Sequence, residues 1–387
     1  MGLSILNDEE NAIRDAARAL VQKEIAPRSG EFDQKEIYPR ANLELLGQQG
    51  YLGMIVEPEY GGAGTTYLAQ TLVVESIAEV DPATAVIYEV HCSLHIEGIW
   101  RFGTDAQKRR WLPSLCRGEA IGAFALSEAE AGSNAAALAT RAVRVPGGYR
   151  VTGRKMFITS GGEAERYLLF ATVDPALKTK GITAFIVEKD APGLHFGPPL
   201  EKLGIRASRT SEVIVDDVFV PDENRLGAEG DGYTIALYLL DGGRIGIAAQ
   251  GVGIMSAALA RSLTYAQERK QFGKPIGSFE GVQWRLANMA TDLHAARLMT
   301  YEAARHREEG PSQRPLFAMA KLFSSEHAVR HAEDAIQIFG GYGYMREYGV
   351  ERLLRDAKIT EIYEGTSEIM RWVIASQLLK DYDLDNI

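Results

Sequence analysis

Apolar and polar positions recur with two different periods along this chain, and the change of period divides it. From residue 7 to about 120, apolar residues return every three or four positions, the spacing of one helix face. Ile13, Ala17, Leu20, Val21 and Ile25 form such a face, with Asn7 or Asp8 as cap and Pro27 as its expected end. Further helices are predicted over 41–49, through Leu68, Leu72, Ile77 and Val80, and from Pro82 to about 100. The last is apolar on most sides, as a central helix would be. Thr104 and Gln107 form a capping box for a short helix ending near 115. Between about 121 and 221 the pattern changes to short apolar or alternating runs (149–152, 167–173, 182–187, 213–220), broken by glycine pairs and prolines. These are strand signals. Helical spacing returns over about 233–268, 279–308 and 315–339, with alanine-rich faces that suit an antiparallel bundle. Ile369, Met370, Val373, Ile374, Leu378 and Leu379 predict a final helix capped by Thr366 or Ser367. The predicted fold class is therefore α+β. A helical domain covers 1–120, a small β domain 121–228 and a helical bundle 229–387.

Composition narrows the function. The chain has 387 residues, and its acidic residues outnumber basic ones 52 to 42, which argues against a nucleic-acid binder held by phosphate contacts. The two cysteines, Cys92 and Cys116, match neither a disulfide framework nor a zinc pattern and read as small buried hydrophobes. His91/His95 and His327/His331 are four apart but lack a nearby acidic third ligand, so no metal site is expected. There is no phosphate-binding G-x-x-x-x-G-K-[ST] loop and no strand–GxGxxG–helix unit. The acidic N-terminal stretch MGLSILNDEE carries no signal segment, and no run approaches the ~20 apolar residues of a membrane span. A cytoplasmic protein, or the mature form of a mitochondrial-matrix one, is expected.

Five stretches carry candidate chemistry. Glu364 is followed by Gly365 and by two hydroxyls that can cap the last helix. It reads either as a general base on a free-bending turn or as an acidic helix start. Two strand-end segments, 124–133 and 155–162, offer small residues, hydroxyls, free backbone N–H groups and an aromatic ring. Such groups can grip the edge and face of a flat heterocycle, or simply form β-turns. The turn from Arg269 to Lys274 sets a guanidinium beside exposed donors, as a pyrophosphate contact or a solvated basic turn. Gln337 to Gly343 ends a long helix in a glycine cluster.

These motifs, in this order over an α–β–α plan, resemble the acyl-CoA dehydrogenase family of FAD flavoproteins along nearly the whole chain. The segments GGRIGIAAQ (242–250) and DAKITEIYEGTSEI (356–369) are most similar to the short-chain, butyryl-type members, and the short/branched-chain members share the first. The resemblance implies a β-barrel or orthogonal-sheet middle domain and a C-terminal four-helix bundle. It implies FAD contacts from Phe124, Leu126, Ser127, Gly132, Ser133, Phe157, Ile158 and Thr159. Arg269, Gln271, Phe272, Ile276, Gln337, Ile338, Gly340 and Gly341 would meet the FAD of a neighbouring subunit. Thr366 and Glu368 would meet the FAD of their own chain. Ser133, Asp241, Arg244 and Gly365 would line the acyl-CoA site, with Val90 and Leu94 as pocket candidates or plain core.

Glu364 would be the base. Some members carry it just before the arginine matching Arg244, but that position here is Gly243, which cannot act. The implied reaction is α,β-dehydrogenation of a short- to medium-chain acyl-CoA, with electrons passing to an electron-transferring flavoprotein and a homotetrameric assembly. Branched-chain dehydrogenase, oxidase and reductase chemistry are the alternatives on this scaffold, and a non-catalytic nucleic-acid-binding relative is the alternative of another class. Five positions depart from the family pattern, the first being Ser127, which replaces a threonine and keeps the hydroxyl. Ala129 replaces a proline, which should loosen its turn, and Asn134 replaces an aspartate. Glu280 stands for a glutamine near the FAD adenosine. Gly349 replaces a proline after Glu347-Tyr348, predicting a more flexible turn.

Overall fold

The computed structural model describes residues 5–380; residues 1–4, the start of the acidic N-terminal stretch, and 381–387 lie outside the described residues. Helix α1 (Asp8–Leu20) starts where Asn7 and Glu10 exchange reciprocal capping bonds of 2.8 Å. The expectation that Pro27 ends this helix is corrected. A π-helical turn, Val21–Ile25, carries the chain into α2 (Ala26–Lys35), and Pro27 sits in its first turn, where a missing N–H costs no bond. Next come α3 (Arg40–Gln48) and α4 (Tyr67–Ala78), the latter capped by Thr66. Pro82 opens α5 (Pro82–Glu89), which continues through a wide π-helical segment, Val90–Ile96, into α6 (Glu97–Phe102). Helix α7 (Asp105–Cys116) begins at the Thr104–Gln107 capping box. Cys92 and Cys116 are buried free thiols. His91 and His95 bond backbone groups, Leu115 and Gly122 for the first and Ala123 for the second.

The strands of the main sheet are β1 (Gly122–Ala125), β2 (Arg141–Val145), β3 (Gly148–Thr159), β4 (Arg166–Thr172), β5 (Ile182–Glu188), β6 (Leu194–Phe196), β7 (Thr210–Pro221) and β8 (Arg225–Leu226). They form one sheet in the order β6-β7-β3-β2-β4-β5-β8, with β1 parallel to β4. The β3–β7 pairing shifts register between Val151 and Gly153 and between Lys155 and Ile158. Such bulges bend a strand and re-aim its side chains.

Helix α8 (Gly232–Glu268) is the central column; every residue from Asp241 to Met255 is buried. It packs against α4, α5, the π-helical segment, α9 (Glu280–Arg305), α10 (Arg314–Phe339) and α11 (Val350–Ala357). It is long and apolar enough to cross a bilayer, but 83% of its apolar window lies inside the fold. Helix α12 (Ser367–Lys380) packs on α10. Its predicted apolar face is only partly covered: Met370 is buried, whereas Leu378 and Leu379 are 59% and 80% exposed.

The helical parts and the sheet are tied at one buried arginine. Arg352 on α11 donates to the Ser29 carbonyl (2.9 Å), to Asp81 between α4 and α5 (2.6 Å) and to Asp356 (3.0 Å). Asp356 in turn accepts from the backbone N–H of Ile205 in the β region, at 2.5 Å.

Candidate active site

The turn before α12 places Glu364. Glu364 and Gly365 both lie in the left-handed region, with φ of 53° and 94°. Thr366 then caps α12, its hydroxyl accepting from the N–H of Ile369 at 3.3 Å. The turn is held from behind by Lys321 of α10, whose ammonium donates to the Gly365 carbonyl at 2.7 Å. The Glu364 side chain runs inward to α8. A Cβ on Gly243 would stand 2.6 Å from Glu364 Oε2 and 3.2 Å from Leu94 Cδ2. Only glycine leaves room for the carboxylate at this point.

Glu364 as a whole remains partly accessible, but Oε2 is buried and has no hydrogen-bond partner among the described residues. Burial pushes its carboxyl up to about 7, against the opposing charges of Arg244 and Lys321. Burial also pushes the Lys321 ammonium down to about 8. A carboxylate with a free oxygen and near-neutral affinity for protons is suited to general-base work.

Arg244, also buried, is fixed by Asp241 at 2.6 Å. Asp241 accepts in addition from Arg314 Nε, with both oxygens at 3.0 Å. The Asp241 carboxylate, expected at the acyl-CoA site, thus also orients two guanidinium groups. Val90 and Leu94 lie on the π-helical segment, both buried, and Leu94 borders the Glu364 carboxylate.

The strand-end segments are locked to each other. The Ser127 carbonyl accepts from Met156 N–H at 2.9 Å. Buried Lys155 donates to the Leu126 carbonyl (3.0 Å) and to Glu128 (2.7 Å). Glu128 also accepts from Ala139 and Thr140, while its backbone exchanges two 3.1 Å bonds with Ala131. This bridge closes the turn at Ala129 without proline. Phe124 and Leu126 pack inward, Gly132, Ser133 and Asn134 lie on the exposed turn, and Ile158 is buried. Phe157 has φ 59° and is 65% exposed, and half-exposed Thr159 ends β3. A bulky residue held left-handed with its ring in the open is a strained arrangement that a stacking ligand would use.

A separate group forms where the α8–α9 hairpin meets the end of α10. One cavity of about 410 Å³ is lined by Arg269, Gln271, Ile276, Ile338, Gly340 and Gly341 among others. A neighbouring one of about 710 Å³ adds Phe272 and Gln337. Phe272 is 93% exposed, and a Cβ on Gly340 or Gly341 would meet nothing within 4 Å. Neither cavity is lined by any of residues 124–133 or 157–159. Thr366 and Glu368 belong to a third place, the first turn of α12. These surfaces fit a flat aromatic heterocycle on one side and a phosphate-bearing tail on the other. Glu280 is exposed in the first turn of α9. Gly349 has φ 64° and its carbonyl accepts from Arg261 at 2.9 Å. The turn expected to be flexible is thus pinned, in a conformation proline cannot adopt.

Two residues with a place in this site were missed in the sequence. Lys321 stands on an otherwise small-residue face of α10, and Glu89 interrupts an apolar helix. A lone charge on a buried face was the available signal for both.

Three family models match the chain: acyl-CoA dehydrogenase N-terminal domain over residues 7–119, middle domain over 123–218 and C-terminal domain over 230–379. The chain is 44% identical over 374 residues to an acyl-CoA dehydrogenase of Bacillus subtilis, covering 97% of this chain and 99% of the relative. The butyryl-CoA dehydrogenase of Megasphaera elsdenii has a solved structure with a TM-score of 0.95 and 42% identity, covering 98% of this chain and 100% of that one. A chain from a structure describing the electron transferring flavoprotein of Acidaminococcus fermentans matches with a TM-score of 0.96 and 42% identity. It covers 98% of this chain and 100% of that one. The fold defines a three-part α–β–α scaffold built around a buried carboxylate. The chain belongs to the acyl-CoA dehydrogenase family.

Proposed function

We propose that this protein oxidises short- to medium-chain acyl-CoA thioesters to trans-2-enoyl-CoA, with Glu364 as base and an electron-transferring flavoprotein as electron acceptor. The observation that carries the reading is the unpartnered Oε2 of Glu364, held against Gly243 where no side chain intervenes. FAD, when bound, supplies the acceptor for the β-hydrogen and its electron pair. The chain's own residues handle the α-proton. Arg244 and Lys321 keep Glu364 ionised often enough to act. A thioester filling the pocket expels water, which raises the proton affinity of Glu364 at the moment it takes the α-proton. Lys321 holds the Gly365 carbonyl, and so keeps the turn that aims the carboxylate from swinging.

In this reading residues 1–120 and 229–387 enclose the acyl chain, and residues 121–228 carry the flavin edge contacts. Ser127, Phe157 and Thr159 grip the ring, and Thr366 and Glu368 meet the FAD of their own chain. The Arg269–Phe272 and Gln337–Gly341 surfaces serve the FAD of a neighbouring subunit in a homotetramer. The supporting observation is that those surfaces form cavities separate from the Phe157 face. The protein works in the cytoplasm or a mitochondrial matrix. Anaerobic titration of the flavin-loaded protein with butyryl-, octanoyl- and isovaleryl-CoA tests the reaction. Flavin bleaching is expected to be fastest with a short chain, and a flavin that none of the three bleaches refutes it.

A further inference from the structure

A second carboxyl lies beside the first, and the mechanism above makes no use of it. Glu89 ends α5, immediately before the π-helical segment, and is completely buried. Neither of its oxygens has a hydrogen-bond partner among the described residues. Its side chain rests on Gly246: a Cβ there would stand 2.2 Å from Glu89 Cγ and 2.7 Å from Oε1. Gly246 is three residues beyond Gly243 on the same face of α8, a step of about 5–6 Å between Cβ positions. The two glycines thus seat two carboxyls side by side on one wall, with Glu364 at the turn and Glu89 further in. Leu94, which borders the Glu364 carboxylate, belongs to the segment that follows Glu89.

Three cations on the surrounding elements each hold an acceptor, while Arg307 Nε and Nη1 and Arg244 Nε have none among the described residues. Arg307 pairs with Glu97 at 2.9 Å, Arg244 with Asp241 at 2.6 Å, and Lys321 with the Gly365 carbonyl at 2.7 Å. The Tyr363 hydroxyl donates to Gln250. The Ser93 hydroxyl accepts from Gln70 at 3.1 Å and lies close enough to Glu89 to favour its charge slightly without reaching hydrogen-bond geometry. Burial, with the charge of Glu364 added, pushes the Glu89 carboxyl well above the ordinary carboxylate range. A chain that buries a carboxyl and gives neither oxygen a partner leaves an unmet demand for a donor. A plain alkyl tail would leave that demand unmet in the complex as well.

We propose that Glu89 is a specificity-determining residue that receives an N–H or O–H donor carried on the acyl chain beyond its β-carbon. The substrate class is then a short acyl thioester with a hydroxyl or amino group on its γ- or δ-carbon. This rests on the dehydrogenase reading, since the offset of one helical step from Glu364 sets how far from the α-carbon the donor lies.

The test uses the flavin-loaded Glu364→Gln variant, in which ligand binds without turnover. Valeryl-, 4-hydroxybutyryl- and 4-aminobutyryl-CoA, which have tails of equal length, are titrated and the perturbation of the flavin spectrum gives Kd. At least one donor-bearing ligand is expected to bind about tenfold or more tightly than valeryl-CoA, the worth of one hydrogen bond to a charged or buried group. Preference for the amine identifies a Glu89 carboxylate, and preference for the hydroxyl a neutral carboxyl. Adding Glu89→Leu should invert the order in favour of valeryl-CoA. Adding Glu89→Gln, closer in shape, should keep hydroxyl binding and remove any advantage of the amine. If valeryl-CoA binds at least as tightly as both others, and Glu89→Leu leaves the order unchanged, the assignment of Glu89 is overturned while the dehydrogenase reading stands. If none of the three binds and no acyl-CoA bleaches the wild-type flavin, both fall together.

Discussion

The carboxylate of Glu364 occupies the volume into which a side chain on Gly243 would project, with Oε2 2.6 Å from the position of that Cβ. A methyl group there must push the carboxylate aside. Gly243→Ala is therefore expected to keep the fold and the bound flavin but slow flavin reduction by roughly 100-fold, the scale of a misplacement of about 1 Å. Single-turnover stopped-flow reduction with butyryl-CoA measures it. A rate near wild type would mean that the carboxylate has another place to work from.

Removing the base while keeping its shape separates chemistry from binding. Glu364→Gln should bind acyl-CoA with little change in Kd and lose roughly 10²–10⁴ in the reductive rate, the usual share of a positioned base. Rapid-mixing absorbance and a binding titration on the same protein give the two numbers. A variant that bleaches at the wild-type rate places the base elsewhere.

Acidity should follow the same residue. With its carboxyl pushed up to about 7, Glu364 is ionised above that pH and protonated below it, so reductive kcat/KM should rise with pH through about 7. Lys321→Met removes a charge that opposes protonation of Glu364. The inflection should then move to higher pH, by roughly tenfold in proton concentration, the scale of a single neighbouring charge. A movement to lower pH would contradict the assignment.

Stability carries the opposite sign. The folded carboxyl of Glu364 lies at about 7 against an ordinary 4.5, so it contributes stability that is fully present below about pH 4.5 and lost as pH rises through about 7. The whole effect is at most about 3 kcal/mol, since each tenfold change in proton affinity is worth about 1.36 kcal/mol. The melting temperature of Glu364→Gln, whose amide does not ionise, should therefore gain on wild type between pH 5 and pH 8. A difference that stays flat over that range would show that the folded carboxyl does not resist ionisation.

Arg352 offers a test away from the chemistry. It carries bonds to Ser29, Asp81 and Asp356, and Asp356 reaches Ile205. Arg352→Met leaves two buried carboxylates uncompensated, and should cost about 3–5 kcal/mol. Denaturant unfolding of the flavin-loaded protein reads this directly, and a loss below about 1 kcal/mol, the worth of an exposed ion pair, would show that the charges find other partners.

What could be read in the sequence was local. The cap at Asn7 and the capping box at Thr104–Gln107 are signals closed within four residues, and both formed. Pro27 misled because its role depends on the π-helical turn before it, which lets a helix restart where a proline is harmless. The apolar positions of α12 were legible as a helix, but periodicity does not say whether the covering surface lies in the same chain. The turn that carries Glu364 was legible from Gly365 and the capping hydroxyl of Thr366. Glu89 was not, because its meaning comes from Gly246 on a distant helix. That Asp241 would also hold Arg314 was not legible, because Arg314 is far along the chain.

The left-handed backbone of Glu364 has a consequence for how such a protein changes over generations. At φ 53° a glycine would be more at ease, and it would also bury no carboxyl. The substitution that most relaxes this turn is thus the one that abolishes the base. A library screened for heat resistance alone should accumulate Glu364→Gly, and one screened for turnover should purge it. Under the proposed mechanism the carboxylate of Glu364 would persist only under selection for the reaction.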